Sequence, residues 1–440
     1  MHAMLGVEYS VFVDALRGPA PVSVRANTWK QIDLSTTRRV PWARNGFYLP
    51  SRPVFTLDPR FHAGAYYVQE ASSMFLEQAL LQHAPLDRPA AFLDLCAAPG
   101  GKSTHLLDLI HPESLLVSNE VIRSRVGALV ENIQKWGAPN CVVTSNDAED
   151  FQAIPGLFDV VVVDAPCSGE GMFRKDPDAQ GEWSPENVAI CAARQKRILE
   201  SVWPAVCEGG LLIYSTCTFN RLENEENLRW LTQNHDVEFL EIKTDPSWGV
   251  EEVVEGPVRG YRFYPHKILG EGFFLALIRK HEAQERTTFR NSAKDNFSSP
   301  SKKVIEEIQP WLRLGNHSFI QREDIIQSLP ASWQHVIRGL TKRLRVTYAG
   351  TYLATQKHTK LVPEHSLALA TSFNQDHFHK FELSAAEAFS YLRKENLNLK
   401  TNHRGFALMR FENLPLGWGN VLPGRINNLY PAAWRIRMES

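Results

Sequence analysis

Two stretches of the sequence carry a thiol to the point where an apolar run gives out. VVVDAPCSGEG, residues 161–171, leads β-branched residues into Asp164, Pro166 and Cys167, and GLLIYSTC, residues 210–217, ends on Ser215, Thr216 and Cys217. A cysteine inside an apolar run packs as a small hydrophobe, whereas one on a turn beside a carboxylate is placed for reaction. Zinc is disfavoured, because no CxxC pair occurs among the six cysteines and no further Cys or His stands at ligand spacing. A disulfide is disfavoured in a reducing compartment. What remains is a pair of reduced thiols projecting toward one cleft, with no metal expected.

DLCAAPGGKSTHL, residues 94–106, follows an apolar run and opens a helical pattern. Small residues at such a turn let backbone N–H groups approach a ligand. The P-loop pattern G-x-x-x-x-G-K-[ST] fails, because Cys96 stands where its first glycine belongs. The dinucleotide fingerprint G-x-G-x-x-G fails too, because Gly100 and Gly101 are adjacent and no third glycine follows at the required place. A nucleoside cofactor without a pyrophosphate fits what is left, and S-adenosylmethionine is the expected ligand. Glu120 closes the second strand about 20 residues beyond Gly100, where a carboxylate takes ribose hydroxyls. Asp147 closes the third strand and can accept from an adenine amino group. Asp94, Glu120 and Asp147 are expected to face one rim, with Asp164 bridging cofactor and substrate.

A thiolate beside a methyl donor has a specific use. C5 of cytosine is not nucleophilic until a group adds to C6; a thiolate adds there, an acid or hydrogen-bond partner stabilises the charge building at N3, and C5 takes the methyl group. A base then removes the C5 proton and the thiol departs. This chemistry leaves open which of Cys167 and Cys217 attacks. Because the base must leave its stack to meet a thiol, a flipped base or a single-stranded substrate is expected.

The elements that must position these residues follow from periodicity. AAFLDLC, LLVSNE, CVVTSND, FDVVVVDAP and GLLIYSTC read as strands; KSTHLLDLI and VIRSRVGALVENIQKW, with Val126, Leu129, Val130, Ile133 and Trp136 on one face, read as helices. A long helix is expected from the Ser184-Pro185 cap to Gly209-Gly210, with Cys207 inside it. Unbroken apolar strands between helices imply a parallel sheet covered on both faces. VEFLEI and EGFFLALIRK would close it as an antiparallel pair. HEAQERTTFRNSAKDNFSSPSKK, residues 281–303, reads as a linker, and no internal repeat is visible.

The composition, 43% hydrophobic and 22% charged over 440 residues, excludes a disordered or fibrous chain and allows two to four domains. No run approaches the roughly 20 apolar residues of a membrane span and no cleavable leader opens the chain, so a cytoplasmic monomer without membrane attachment is expected. A net charge of −1 provides no global attraction to polyanions, so any nucleic acid must be gripped by a local patch. Arg338, Lys342, Arg343 and Arg345 form one candidate. Residues 401–440, with five arginines against two glutamates, form another.

DLCAAPGGKS, VVVDAPCSGEGMFRK and YSTCTFNRLENE, with YVQEASSM before them and RFYPHKILGEGFFLALI after, resemble in order the motifs of the RNA cytosine-5 methyltransferases of the NOL1/NOP2/Sun family, over roughly residues 20–280. The resemblance implies that Cys217 is the nucleophile and that Cys167 helps release the product. It also implies that Cys96, Ala97, Ala98, Pro99, Gly100, Gly101 and Lys102, with Glu120, Asp147 and Asp164, bind S-adenosylmethionine, and it carries Arg125 over more weakly. AGTYLATQKHTKLVPEHSLALA and LPLGWGNVLPGRINNLYP are similar to the tail of the bacterial RsmF-type branch, which acts on small-subunit ribosomal RNA and ends in a PUA-like RNA-binding module. There Trp418, Tyr430, Trp434, Arg425 and Arg435 are the expected RNA contacts. The expected organisation is an N-terminal α+β module (1–65), a Rossmann-like α/β methyltransferase domain with a mostly parallel seven-stranded sheet (66–280), the linker, an α+β module (304–378) and the PUA-like module (379–440). A transfer-RNA or DNA methyltransferase and a ribosome-assembly factor without catalysis are the alternatives.

Overall fold

The computed structural model describes residues 1–34, 37–289, 297–397 and 400–438. Strands β1 (Val22–Ala26), β2 (Arg38–Arg39), β3 (Gly46–Leu49) and β4 (Tyr66–Val68) form an antiparallel sheet in the order β2-β3-β1-β4. A second, large sheet follows. Its centre is parallel: β5 (Ala91–Asp94), β6 (Leu115–Asn119), β7 (Cys141–Thr144), β8 (Phe158–Asp164) and β9 (Val206–Thr216) stand in the order β9-β8-β5-β6-β7. Along β5, Phe92 enters the core on one face while Ala91 and Leu93 enter that on the other. Burial on both faces is why these strands read as continuous apolar runs.

β10 (Val237–Phe239), β11 (Glu251–Glu255), β12 (Val258–Phe263) and β13 (Phe273–Lys280) complete one side, with β13 antiparallel to β9, β10 and β12. The VEFLEI and EGFFLALIRK segments therefore meet as the expected antiparallel pair. β14 (His317–Arg322), β15 (Ile325–Pro330), β16 (Val346–Ala349), β17 (Thr351–Lys357) and β18 (Lys360–Pro363) come next. Four of them make a third sheet, β14-β15-β17-β18, but β16 leaves it and pairs antiparallel with β7. With this strand at one edge and the β11–β12 hairpin at the other, the large sheet has ten strands rather than seven. β19 (His379–Glu382), β20 (Gly405–Phe411), β21 (Leu414–Leu422) and β22 (Arg425–Asn428) form the fourth sheet.

The helix after β8 spans Pro185–Val202 and begins as expected, with Ser184 Oγ accepting from the Asn187 N–H at 3.1 Å and Pro185 in the first turn. It ends earlier than expected. Pro204, which has no N–H to continue the ladder, lies just beyond, in a short 3-10 turn. Gly209-Gly210 instead bulge β9: its pairing with β8 jumps from Phe158↔Val206 to Val160↔Leu211, and Gly209 takes φ +72°. Cys207 accordingly belongs to β9, not to a helix. The 281–303 linker lies partly outside the described residues.

Arg25 of β1 joins the first sheet to the large one. Its guanidinium, 1% exposed, pairs with Asp108 and donates to Thr104 Oγ1 (2.6 Å) and Gln69 Oε1 (2.8 Å) while lying 4.4 Å over the Trp136 ring. A buried cation is tolerated when its donors are engaged in this way. The first and fourth sheets share a core in which Val24 and Phe47 pack with Tyr391, Ile426 and Tyr430. Among the described residues, no helix is long and apolar enough to cross a membrane.

Candidate active site

The carboxyl ends of the parallel strands open onto a cavity of about 410 Å3, a size usual for small-molecule sites. Glu120, Asp147, Asp164, Cys167 and Cys217 all line it. Glu120, just past β6, is held at both oxygens: Oε1 accepts from the Ile122 N–H at 2.8 Å and Oε2 from the Ala98 N–H at 3.3 Å, with Arg125 at 3.5 Å. Val121 and Ile122, 52% and 48% exposed, give the cavity an apolar wall beside that carboxylate. Asp147 stands three residues beyond β7, where Oδ1 accepts from the Glu149 N–H (3.2 Å) and Oδ2 lies 3.6 Å from Arg197. A fixed carboxylate, an apolar wall and a second carboxylate beyond it suit the ribose and base of a nucleoside.

Gly100, at φ +116°, turns the chain from β5 into the helix Gly101–Leu109, a conformation open chiefly to glycine. Pro99, Gly101 and Lys102 line a smaller cavity of about 200 Å3 that meets the larger one at Cys96, Ala98 and Asp164. Lys102 Nζ lies 2.7 Å from Asp164 Oδ2, and the other oxygen accepts from Ser215 Oγ at 2.8 Å. Asp94 does not join this rim. Its side chain turns inward, fully buried, and takes a 2.6 Å hydrogen bond from Ser103 Oγ; burial pushes its carboxyl up to about 7.

The two thiols meet. Cys167 Sγ and Cys217 Sγ are 3.1 Å apart, because β8 and β9 are parallel neighbours paired as far as Asp164↔Ser215 and each cysteine follows shortly after. Both are free and partly exposed. The neighbouring Cys217 sulfur first, and burial second, push the Cys167 thiol well above its usual range. Two sulfurs at this distance do not both carry charge, so at most one of the pair is a thiolate at a time.

Beneath them lies a polar network that sequence reasoning missed. Glu223, fully buried, accepts from the Ser168 N–H (2.8 Å), Ser168 Oγ (2.5 Å) and Gln195 Nε2 (3.1 Å), and Ser168 Oγ meets Thr218 Oγ1 at 3.1 Å. The residue following each cysteine is thus tied to the other through one carboxylate. Gln195 also donates to the Pro166 carbonyl (3.0 Å), fixing the turn that carries Cys167. The only sequence signal was the position of Glu223 within YSTCTFNRLENE, six residues after Cys217.

The expected RNA contacts do not form one group. Arg343 donates to the Ala153 carbonyl at 3.0 Å, and the Arg345 backbone N–H donates to Asn146 Oδ1 at 2.9 Å, both at the β7 side of the large sheet. Arg425 and Arg435 are exposed on the C-terminal unit. Trp418 offers no stacking surface: it is 1% exposed, donates from Nε1 to the Glu364 carbonyl (2.8 Å) and packs edge-on against Phe373 and Phe378. Tyr430 is likewise core, at 0% exposure, and Trp434 is half-buried. These aromatics fill the space between the first, third and fourth sheets, which explains their number in the tail.

A mostly parallel sheet with a nucleoside-sized cavity and paired thiols at its carboxyl rim defines a Rossmann-like methyltransferase. Residues 80–279 match the family described as 16S rRNA methyltransferase RsmB/F, residues 1–71 the N-terminal domain of 16S rRNA methyltransferase RsmF, and residues 378–436 the methyltransferase RsmF PUA domain. The chain is 32% identical to the ribosomal RNA small subunit methyltransferase F of Salmonella agona, over 97% of its own length and 92% of that protein's. It is 31% identical, with the same shares, to the protein of that name from Escherichia coli. The chain belongs to this RsmF family of methyltransferases. Among solved structures, a methyltransferase homolog protein from Pyrococcus horikoshii is similar with a TM-score of 0.52 and 29% identity, over 62% of this chain and 91% of that one. NSun6 from the same organism shares the fold, with a TM-score of 0.53 and 20% identity over 64% of this chain and 96% of that one.

Proposed function

We propose that the protein is an S-adenosylmethionine-dependent RNA (cytosine-5)-methyltransferase and that its substrate is 16S ribosomal RNA of the small subunit, the RNA that its relatives' names give for them. The observation that carries this reading is the 3.1 Å separation of two thiols on the wall of a cavity suited to a nucleoside. Glu120, Asp147, the 96–102 turn and Lys102 would hold the cofactor, which when bound supplies an electrophilic methyl group.

In this reading Cys217 attacks C6 of cytosine as the thiolate. The C5=C6 electron pair moves toward N3, and the proton of the Lys102 ammonium, relayed through the Asp164 carboxyl that Lys102 and Ser215 orient, passes to N3 as charge builds there and returns when C5=C6 re-forms. C5, now nucleophilic, gains its methyl group. Formation of the Cys217–C6 bond removes the charge that had held Cys167 protonated, so Cys167, which lines the open cavity, gives its own proton to solvent and its thiolate then takes the C5 proton. Re-formation of C5=C6 then expels the Cys217 thiolate. In the same reading residues 66–280 do this chemistry, while 1–65, 304–378 and 379–440 bind and orient the RNA.

The test is nucleoside analysis of small-subunit RNA, taken from cells lacking the protein and treated with the purified chain and S-adenosylmethionine. New 5-methylcytidine is expected. Its appearance only in transfer RNA would move the substrate. Its absence from every RNA, together with no cofactor binding, would favour a non-catalytic assembly factor.

A further inference from the structure

Between Leu34 and Leu57 the chain carries four arginines, Arg38, Arg39, Arg44 and Arg52, and no acid. The surroundings are unusual for a protein of net charge −1. Arg38 and Arg39 constitute β2, the outer strand of the first sheet, and both are exposed. Neither they nor Arg52 forms an ion pair among the described residues, and Arg44 reaches Glu77 only at 3.8 Å while remaining 69% exposed. The guanidinium groups lie against rings: Arg38 is 5.8 Å from the Tyr48 centroid, Arg39 5.5 Å from Phe47 and Arg52 5.6 Å from Phe55. Stacking on rings that are themselves buried limits the freedom of these side chains; Arg39 Nη1 donates to the Arg44 carbonyl at 3.2 Å, and the other N–H groups of these exposed residues can meet a planar anionic partner.

The strip is joined to the site. Tyr48, paired with Arg38 on one side, stands opposite Ser23 of β1 on the other; Ser23 Oγ donates to the Gln69 carbonyl at 2.6 Å, and Gln69 and Glu70 line the smaller cavity that shares Asp164 with the cofactor pocket. We infer that this arginine edge of the N-terminal sheet is an RNA-backbone tract, taking the phosphates of the single strand that flanks the target nucleotide on its way to Asp164. The inference rests on the RNA reading above. Guanidinium groups pair bidentately with phosphate, and a run of them along an edge suits consecutive phosphates rather than a single anion. The competing use of charged residues on an outer strand is to prevent edge-to-edge association, which needs no ligand.

The test uses the full chain with Arg38→Glu/Arg39→Glu, and separately Arg52→Glu. A fluorescent single-stranded RNA oligonucleotide of mixed sequence is titrated at several salt concentrations. The double variant is expected to bind about tenfold or more weakly, with a salt slope reduced by about one to two, while cofactor affinity and melting temperature stay at wild-type values. Wild-type RNA affinity and slope in both variants would overturn the inference and leave edge protection as the role of these residues, even if the wild type methylates cytosine. A weakened variant in a chain whose wild type forms no 5-methylcytidine would uphold the tract and overturn the catalytic reading instead.

Discussion

Cys167 Sγ lies 3.1 Å from Cys217 Sγ although 50 residues separate them in the chain. Parallel pairing of β8 with β9 enforces the meeting, and the meeting imposes a division of labour, because charge on one sulfur suppresses charge on the other.

With Cys217 as the attacking thiolate, Cys217→Ala removes the only route to a nucleophilic C5. Methyl transfer from labelled S-adenosylmethionine to RNA is expected to fall by about 10³-fold or more, while cofactor affinity measured by calorimetry is unchanged. Full activity in this variant would reassign the attack.

Glu223 positions both cysteine turns without facing the cavity. Glu223→Ala leaves the buried Ser168 N–H without an acceptor and takes one acceptor from Ser168 Oγ, which keeps Thr218, and from Gln195, which keeps the Pro166 carbonyl, at a cost of roughly 1–3 kcal/mol in unfolding free energy. The expected kinetic result is a lowered kcat with cofactor affinity retained, largely restored by Glu223→Gln, which keeps an acceptor oxygen. Equal losses in both variants would point to charge rather than positioning.

Glu120 is already oriented by two backbone N–H groups, so its carboxylate is prepared for a ligand rather than recruited by one. Glu120→Ala is expected to weaken S-adenosylmethionine binding by about 10- to 100-fold, corresponding to the loss of hydrogen bonds to a charged group. Calorimetry on the purified variant checks this; unchanged affinity would place the ribose elsewhere.

Asp94 makes a prediction about pH. Burial raises its carboxyl from the ordinary 3.8 to about 7, so the folded state holds the proton more tightly than the unfolded chain. Nothing is lost below pH 4. Between about pH 4 and 7 the unfolded chain releases this proton while the folded protein retains it, and stability falls, by an amount on the order of 4 kcal/mol, before levelling off above pH 7. Asp94→Asn keeps a partner for Ser103 and lacks this titration. Denaturant unfolding of both proteins across pH 4–8 should show the wild type losing ground to the variant as pH rises. A constant difference would mean that Asp94 is ionised throughout.

The central sheet was legible because strands buried on both faces must be apolar at every position, and the thiols because each follows directly where such a run ends. Glu120 and Asp147 were legible for the same reason. Asp94 was not: the residue closing β5 points inward toward Ser103, a choice of side-chain direction that no spacing rule conveys. Nor was the end of the Pro185–Val202 helix, since a glycine pair marks a bulge as readily as a helix stop, and Pro204 acted first. The pairing of β16 with β7 was not legible, because some 200 residues separate the two and a sheet of its own stands beside β16. Trp418 and Tyr430 were read as RNA contacts because composition cannot separate an aromatic platform from an aromatic core, and burial decided for the core. Glu223 stands just ahead of an acidic helix start, and its role comes from the convergence of two turns above it.

The account stands most directly on covalent trapping. Cys167→Ala should retain attack by Cys217 and lose release, so incubation with substrate RNA and S-adenosylmethionine is expected to leave a protein–RNA species that survives denaturing electrophoresis. After nuclease and protease digestion, mass spectrometry should find a 5-methylcytosine nucleotide on the peptide containing Cys217. A gel with no shifted band, or an adduct on any other residue, would contradict the assignment of the two thiols.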